Sequence, residues 1–513
     1  MSRKFNARGY RTVALSGKDS EEKRQEAFER LAMEETDATQ EMQPLDFIFS
    51  RDILNEGVDI VEVNQVIMLR PTQSPIVFIQ QLGRGLRKAP GKEYVVILDF
   101  IGNYNNNFMI PVALSGDRTY NAVIRKYVIS GNSTIPGAST VHFDEISKDK
   151  IFKSIDKIKG MKTLIKESYV SLKNRLGRVP LLYDFYENQE IDPLVIIREY
   201  KTYDAFMVAM EQDKYKNVLN EQEKLTLEYL SKTVLSGVRP DELVILSQLL
   251  HRDHIAVADF IKEYQNTYGI EISTSRVKEA VQVLQGHFVS KEAEYQKYCQ
   301  IDILENDPAG MIKRLQSYTE RLTHIPFYTQ VEDIIKVGIA RYKEKYLPGI
   351  KSEDPFVLYE KYSRRDVSLL MNCGKDLSSI MYGMKRIEND VFIFITYHKE
   401  ESQDEKNYVD GKPDYADAFE DNLIFKWDSQ IGKGLDSSYM KDVLGADRKH
   451  LFVKKSDAET SFYYMGQFDV LEARNAQKED NRGRMQPITK VTMKMHHAVR
   501  EDLLRYLQSH ITA

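Results

Sequence analysis

The sequence predicts an α/β fold built on a parallel sheet, followed by an α-helical region and a C-terminal β-rich α+β domain. Three observations carry this. Short apolar runs alternate with helical patterns over residues 1–115, and strands alternating with helices make parallel sheets. Apolar residues then recur at helical spacing through residues 120–380. From residue 385 to 513, short aromatic and β-branched runs are separated by Asn, Asp, Gly and Lys.

Taken in order, Thr12 to Leu15 reads as a strand. Ser20 to Leu31 reads as an amphipathic helix with Ala27, Phe28 and Leu31 on one side. Leu45 to Phe49 and Gln65 to Leu69 read as strands. Ser74-Pro75 joins an N-cap residue to proline at the first helical position, so a helix should run from there to about Lys88. Tyr94 to Phe100 is nearly all apolar, as expected of a strand buried on both faces. In the second stretch Ile151, Ile155, Ile158, Ile165, Tyr169, Leu172 and Leu176 share a helical period. Further helices are expected at 221–235, 240–251, 255–267 and 275–286, punctuated by Gly177, Pro180, Gly237, Pro240 and Gly269. In the third, strands are expected at Val391 to Tyr397, Leu423 to Trp427, Leu451 to Lys454 and Phe462 to Met465, with a closing helix from about His497 to Ser509.

Composition narrows the function classes. A chain of 513 residues suits three or four domains. Its 77 acidic and 72 basic residues give a net charge of −5, which excludes a globally basic coat protein but leaves room for local basic tracks. Cys299 and Cys373 are the only cysteines, which excludes a disulfide scaffold and a Cys-rich zinc site and fits a reducing cytoplasm. No apolar run approaches the ~20 residues of a membrane span. The N-terminus lacks the apolar core of a secretory signal.

The chemistry-bearing motifs lie in the first hundred residues. Gln80 to Arg87 has the form QxxGRxxR. Arg84 and Arg87 are three apart and share a helix face, where two guanidiniums make a clamp for a polyphosphate. Gly83 and Gly85 each weaken a helix interior by about 1 kcal/mol relative to alanine, which points to close approach of another surface. Read alone, the motif also fits a surface helix with a flexible turn. Upstream, Ser50 to Ile60 is a polar loop directly after a strand and contains Gly57-Val58-Asp59. Earlier still, Leu15-Ser16-Gly17 stands before a charged amphipathic helix.

In this order the three elements resemble the second RecA-like lobe of superfamily 2 helicases and translocases, with Ser50 to Ile60 as motif V. LRPTQSPIVFIQQLGRGLRK followed by EYVVILDFIGNYNNNF resembles a bacterial, restriction-type subgroup, in which a long uncharacterised region follows that lobe. STVHFDEISKDKIFKSID, LGRVPLLYDF and LIFKWDSQIGKG resemble that region, so the likeness extends along the chain but is specific in the first 115 residues. It implies that Arg84 and Arg87 reach the ATP γ-phosphate as arginine fingers. It further implies that Gln80 orients the attacking water or the phosphate network, and that Gly57, Asp59 and Gly83 lie at the nucleotide. Ser50 would couple the nucleotide to the DNA backbone, and Ser16 and Gly17 would touch phosphate through main-chain N–H groups. Defence against phage or other foreign DNA is implied by the resemblance alone.

An ATP-driven motor also needs a phosphate-cradling loop ending in Gly-Lys-Ser/Thr. The five Gly-Lys pairs here are followed by Asp19, Glu93, Asp376, Pro413 and Gly434. Val141 to Glu145 resembles a Walker B strand but follows the arginine motif, whereas these helicases place the acidic pair before it; a surface Asp-Glu fits as well. The expectation is a second lobe that starts inside its own sheet. The first lobe, with the residues for ATP and Mg²⁺, would come from a separate chain or from upstream sequence.

Weaker signals remain open between two readings each. Residues 148–178 hold ten basic residues against three acids, and Lys157, Lys159 and Lys162 among them could track duplex DNA or simply face solvent. Residues 255–286, with Arg276 and Lys278 opening the second helix, read as a helix-turn-helix or as an ordinary helix pair. The acidic stretch Glu400 to Asp421 reads as a hard-metal site or a solvated loop. His251 and His254 are three apart without further ligands, His496-His497 diverge, and no metal site is proposed. Trp427 reads as core or as a base-stacking platform. Two functions follow: the second half of an ATP-dependent DNA motor, or a non-catalytic DNA-binding protein with a remnant lobe.

Overall fold

The structure is a computed structural model that describes residues 1–51 (without 17, 40 and 41), 63–69, 92, 94–100, 161–188, 190–307, 310–350, 354–398, 408–409, 412–413, 417–456, 459–480 and 483–508. The fold is α/β at the N-terminal end, then helical, then β-rich. Two compact units divide the chain, one made mainly of residues 1–129 and 141–160 and one mainly of residues 161–187 and 191–513.

In the first unit, β1 (Thr12–Ser16) and β2 (Phe47–Arg51) pair in parallel, from Thr12 opposite Phe47 to Ser16 opposite Arg51. A parallel pair needs a covering crossover, and the helix Glu21–Ala32 supplies one. Its N-cap Ser20 accepts the Lys23 N–H at 3.3 Å. Leu15, Ala27 and Leu45 form the core, with Val13, Phe28, Leu31 and Ile48 packed against them. A short helix, Ser2–Asn6, precedes β1, and its Asn6 side chain accepts the Thr12 N–H at 2.9 Å.

β3 (Gln65–Met68) and β4 (Val96–Asp99) form a second parallel pair, Gln65 opposite Val96. Here the expectation of burial on both faces fails. Tyr94, Val96, Leu98 and Phe100 are 40–73% exposed, as are Ile67 at 42% and Leu69 at 40%. Among the described residues β3 and β4 pair only with each other, and the face bearing Tyr94, Val96, Leu98 and Phe100 is uncovered. The predicted helix from Ser74 lies outside the described residues.

The second unit begins with helices. Ile325–Arg341 is central and packs against Leu182–Glu187, Glu221–Thr233 and Asp241–His251. Gly237 turns the chain at φ +66, and a Cβ there would lie 2.3 Å from the Gly338 carbonyl oxygen. The helix Met161–Leu176 buries Ile165, Tyr169 and Leu172, as their spacing predicts. Val257–Tyr268 ends in the left-handed Gly269, and Thr274–Leu284 follows under the cap of Ser273. A small antiparallel sheet of β5 (His254–Ala256), β6 (Leu304–Asp307) and β7 (Met311–Arg314), in the order β5-β7-β6, sits among the helices.

The β-rich part carries β8 (Lys361–Tyr362), β9 (Met384–Ile387), β10 (Asp390–His398), a small β11–β12 hairpin (Tyr408–Val409, Lys412–Pro413), β13 (Ala418–Phe419), β14 (Ile424–Asp428), β15 (Arg448–Ser456), β16 (Phe462–Glu479) and β17 (Met485–Met495). The main sheet runs β13-β14-β17-β16-β15-β10-β9, with β8 also on β16. β10 and β15 pair in parallel and the rest antiparallel. β16 is 18 residues long because its first part pairs with β15 and its remainder with β17. The last helix starts at Glu501, not His497. The N–H groups of Met495, His496 and Val499 donate to Leu423, Gln467 and Asn422 and hold that segment on the sheet. One apolar core joins Val238, Val283, Phe288, Tyr342 and Tyr346 of the helical part to sheet residues Phe392, Phe452 and Tyr464. Among the described residues no helix is long and apolar enough to cross a membrane.

Candidate nucleotide and nucleic-acid interface

In parallel α/β sheets, ligands bind beyond the carboxyl ends of the strands. β1 and β2 end side by side, Leu15 opposite Ser50 and Ser16 opposite Arg51, so two of the sequence-predicted contacts, Ser16 and Ser50, share one strand-end edge. Ser50 is exposed and Ser16 half-buried.

The chemistry at Ser16 differs from the expectation. Its N–H donates to Asp19 Oδ2 at 2.7 Å and its hydroxyl to the same oxygen at 2.9 Å. Lys23 Nζ lies 2.5 Å from the other carboxylate oxygen. The Lys23 hydrogen bond, then those from Ser16, pull the Asp19 carboxyl down to about 2, so it is anionic at neutral pH. Glu21 and Glu22 stand in the first helical turn beyond it. A phosphate approaching the Ser16 N–H would have to displace one carboxylate and face two more. Asp19 was missed from sequence, although a carboxylate three residues after a serine is a familiar turn signal.

Gln80, Gly83, Arg84 and Arg87 lie outside the described residues, as do Gly17, Gly57, Asp59, Val141 to Glu145, Lys157 and Lys159. Of the basic stretch, Lys162 and Lys166 are exposed, Lys162 with its ammonium 5.5 Å from the Tyr200 ring centroid. Lys173 is paired with Glu211, and Arg178 grips Asp184 at 2.6 and 2.7 Å. Those two cations belong to packing between helices.

The helix-turn-helix reading is corrected at Arg276. Its Nε lies 2.6 Å from Asp241 Oδ2 and its Nη2 2.9 Å from Oδ1. Asp241 is 1% exposed, also accepts the Tyr264 hydroxyl at 2.6 Å, and has Arg239 Nε at 3.6 Å. Arg239 is paired with Glu242 and donates to the Leu369 carbonyl at 2.7 Å. Burial alone would raise the Asp241 carboxyl, but Arg276 and Arg239 outweigh it and leave it below the usual range. Arg276 is therefore an inward-facing ion-pair partner, whereas Lys278 is exposed. Trp427 is core, 5% exposed.

An open cleft of about 600 Å³ is lined by residues that include Val218, Leu219, Glu223, Arg321 and His324. Glu223 Oε1 is 2.8 Å from His324 Nδ1, while its other oxygen closes a capping box on Asn220. His251 and His254 are exposed. No group of three or more His, Cys, Asp or Glu side chains able to hold a metal ion occurs among the described residues.

Comparison with known proteins separates the chain into three matched segments. Residues 1–89 match the helicase conserved C-terminal domain. Residues 165–346 match a domain of unknown function, DUF8090, and residues 356–507 match another, DUF3427. The Saccharomyces cerevisiae protein named "Putative ATP-dependent helicase IRC3" is 36% identical over 67 residues, 13% of this chain and 10% of that protein, so the match spans about a tenth of that relative's length. A solved structure, the sulfur-binding and SRA domains of ScoMcrA with phosphorothioated DNA, aligns with 53% of this chain and 90% of its own at 10% identity. Its TM-score of 0.19 is too low to indicate a shared fold.

Proposed function

We propose that the chain, whose residues 1–89 match the helicase conserved C-terminal domain, is the C-terminal portion of an ATP-dependent DNA helicase or translocase of the restriction type. Arg84 and Arg87 act as arginine fingers on the γ-phosphate, Gln80 orients the attacking water, and Gly57, Asp59 and Gly83 line the nucleotide. Ser50 couples that site to the DNA backbone, and Lys157, Lys159 and Lys162 follow duplex phosphates. The Lys and Mg²⁺ site belong to a first RecA-like lobe on a separate chain or in upstream sequence. These 513 residues alone therefore do not turn over ATP. A cytoplasmic place and a role against foreign DNA belong to the same proposal. The observation that carries the reading is the helicase match over residues 1–89, supported by the adjacent strand ends bearing Ser16 and Ser50.

One observation favours the alternative, a DNA-binding protein with a remnant lobe: the Ser16 N–H is taken by Asp19. An ATPase assay separates the two. The chain is measured alone and with a polypeptide carrying a Gly-Lys-Thr loop and an Asp-Glu box, each with and without DNA. Activity only in the mixture, stimulated by DNA, supports the motor. Turnover by the chain alone that Arg87→Ala abolishes removes the claim of dependence on a first lobe.

A further inference from the structure

The β-rich part holds an arginine, Arg364, with no acidic partner among the described residues. Arg364 opens the helix Arg364–Leu370 and is only half-buried. Its guanidinium carbon lies 5.1 Å from the ring centroid of Tyr382, 5.1 Å from that of Phe462 and 5.5 Å from that of Phe394. Its Nε is buried and has no hydrogen-bond acceptor among the described residues. Burial pulls the guanidinium below its usual range, and the only charge acting against that is the Tyr382 phenol, not a carboxylate. Lys454, bonded to the Glu459 carbonyl at 2.9 Å, places a second cation 5.3 Å from the Phe462 centroid. Two cations thus lie on one aromatic cluster, and Arg364 has no acid beside it among the described residues.

The outer wall of this cluster is open and rigid. Tyr382 is 65% exposed and Ile380, two residues earlier, 54%. Between them Met381 is fully buried and anchors the segment. The Tyr382 carbonyl accepts from Gln430 Nε2 at 3.1 Å and from the Met384 N–H at 2.9 Å. Gly383 follows at φ +74, a left-handed conformation that favours glycine, and a Cβ there would lie 2.5 Å from Gln430 Nε2. Ile431, beside Gln430, is 42% exposed.

We propose that Tyr382 and Arg364 form a binding site for single-stranded nucleic acid, in which an unpaired base stacks on the Tyr382 ring and a neighbouring phosphate meets Arg364. An exposed aromatic ring backed by arginine suits this ligand, because every base offers a π-face and every linkage an anion. A duplex keeps its bases stacked and offers the phosphates alone. The inference rests on the reading that the chain handles DNA, but the site lies in a different part of it from the helicase lobe.

The test is fluorescence anisotropy of the full chain with a labelled 20-nucleotide oligothymidylate and with a duplex of the same length, over a salt series. Tyr382→Ala should weaken single-strand binding roughly tenfold, within the range of one lost base stack, and leave duplex binding unchanged. Tyr382→Phe, which keeps the ring, should bind like the parent. Arg364→Ala should flatten the log K against log salt slope by about 0.7, one single-strand phosphate contact. Because Tyr382 is at the surface, its substitution leaves the core intact, and circular dichroism checks this. Parental affinity for the single strand in both alanine variants would overturn the site and leave the helicase reading standing. Equal losses on single strand and duplex would overturn base stacking. A parent that binds neither probe would overturn the site and the DNA reading together.

Discussion

Replacing Arg276 by alanine should destabilise the protein without weakening DNA binding. Asp241 is buried at 1% exposure, and Arg276 supplies two of its closest donors, at 2.6 and 2.9 Å. Removing one partner of a buried ion pair costs about 3–5 kcal/mol, because the other charge is left without its counterpart in a low-dielectric interior. Here the Tyr264 hydroxyl and Arg239 remain beside Asp241, so the lower end, about 3 kcal/mol, applies. If residues 161–513 melt together, roughly 350 residues at about 2.1 cal/mol/K each give an entropy near 0.7 kcal/mol/K, and the midpoint should fall by about 4 °C. Scanning calorimetry measures this, and replacing Arg276 by methionine together with Asp241 by leucine should recover much of the loss, since apolar isosteres replace buried pairs at little cost. An unchanged midpoint combined with lost duplex affinity would refute the ion-pair account and restore the second helix as a DNA reader.

Three further outcomes are expected. Asp333, which accepts the Leu182 and Tyr183 N–H groups at 2.7 and 3.0 Å, is pushed up to about 7 by burial. Its folded form holds the proton more tightly than the unfolded chain, so its contribution is full below about pH 4 and is lost as pH rises through about 7. Denaturation midpoints should fall as pH rises from about 4 to about 7, and Asp333→Asn should flatten that slope. In the complete two-lobe enzyme, Arg84→Ala or Arg87→Ala should lower kcat roughly 10³-fold with little change in nucleotide affinity; steady-state kinetics with unchanged kcat in both would remove the finger assignment. Neutralising Lys157, Lys159 and Lys162 together should reduce the salt slope of duplex binding by up to about 0.9 per lost phosphate contact, and an unaltered slope would make them a solvated face.

What the sequence made legible was whatever depends on local rules. The Ser20 cap, the Ala27–Phe28–Leu31 face and the Gly269 terminus follow from neighbours a few residues away. β17 escaped notice because Lys490 and Lys494 interrupt its apolar positions, and only the sheet shows that Val491, Met493 and Met495 face inward while the lysines face out. The three-stranded β5-β7-β6 sheet escaped because its strands are three or four residues long and interleaved with helices. At the strand-end edge, the nearness of Ser16 and Ser50 is implicit in the alternation of strands and helices, but the Asp19 carboxylate on the Ser16 N–H depends on a loop geometry that this alternation does not specify. Arg276 could not be assigned from its position in a second helix, because its direction is set by Asp241, 35 residues earlier.

The core that joins helices to sheet runs across the seam between the two matched domains of unknown function, at 346 and 356. Tyr346 packs at a tilt against Tyr362, and Phe356 packs edge-on against Phe392 and Phe452, so aromatic rings from both segments fill one interior. Neither half can be lost or swapped during evolution without baring the other's rings to water. The two segments should therefore be inherited as a pair, and a gene that keeps one without the other should show polar residues at Val238, Phe288, Tyr342 or their counterparts in the sheet.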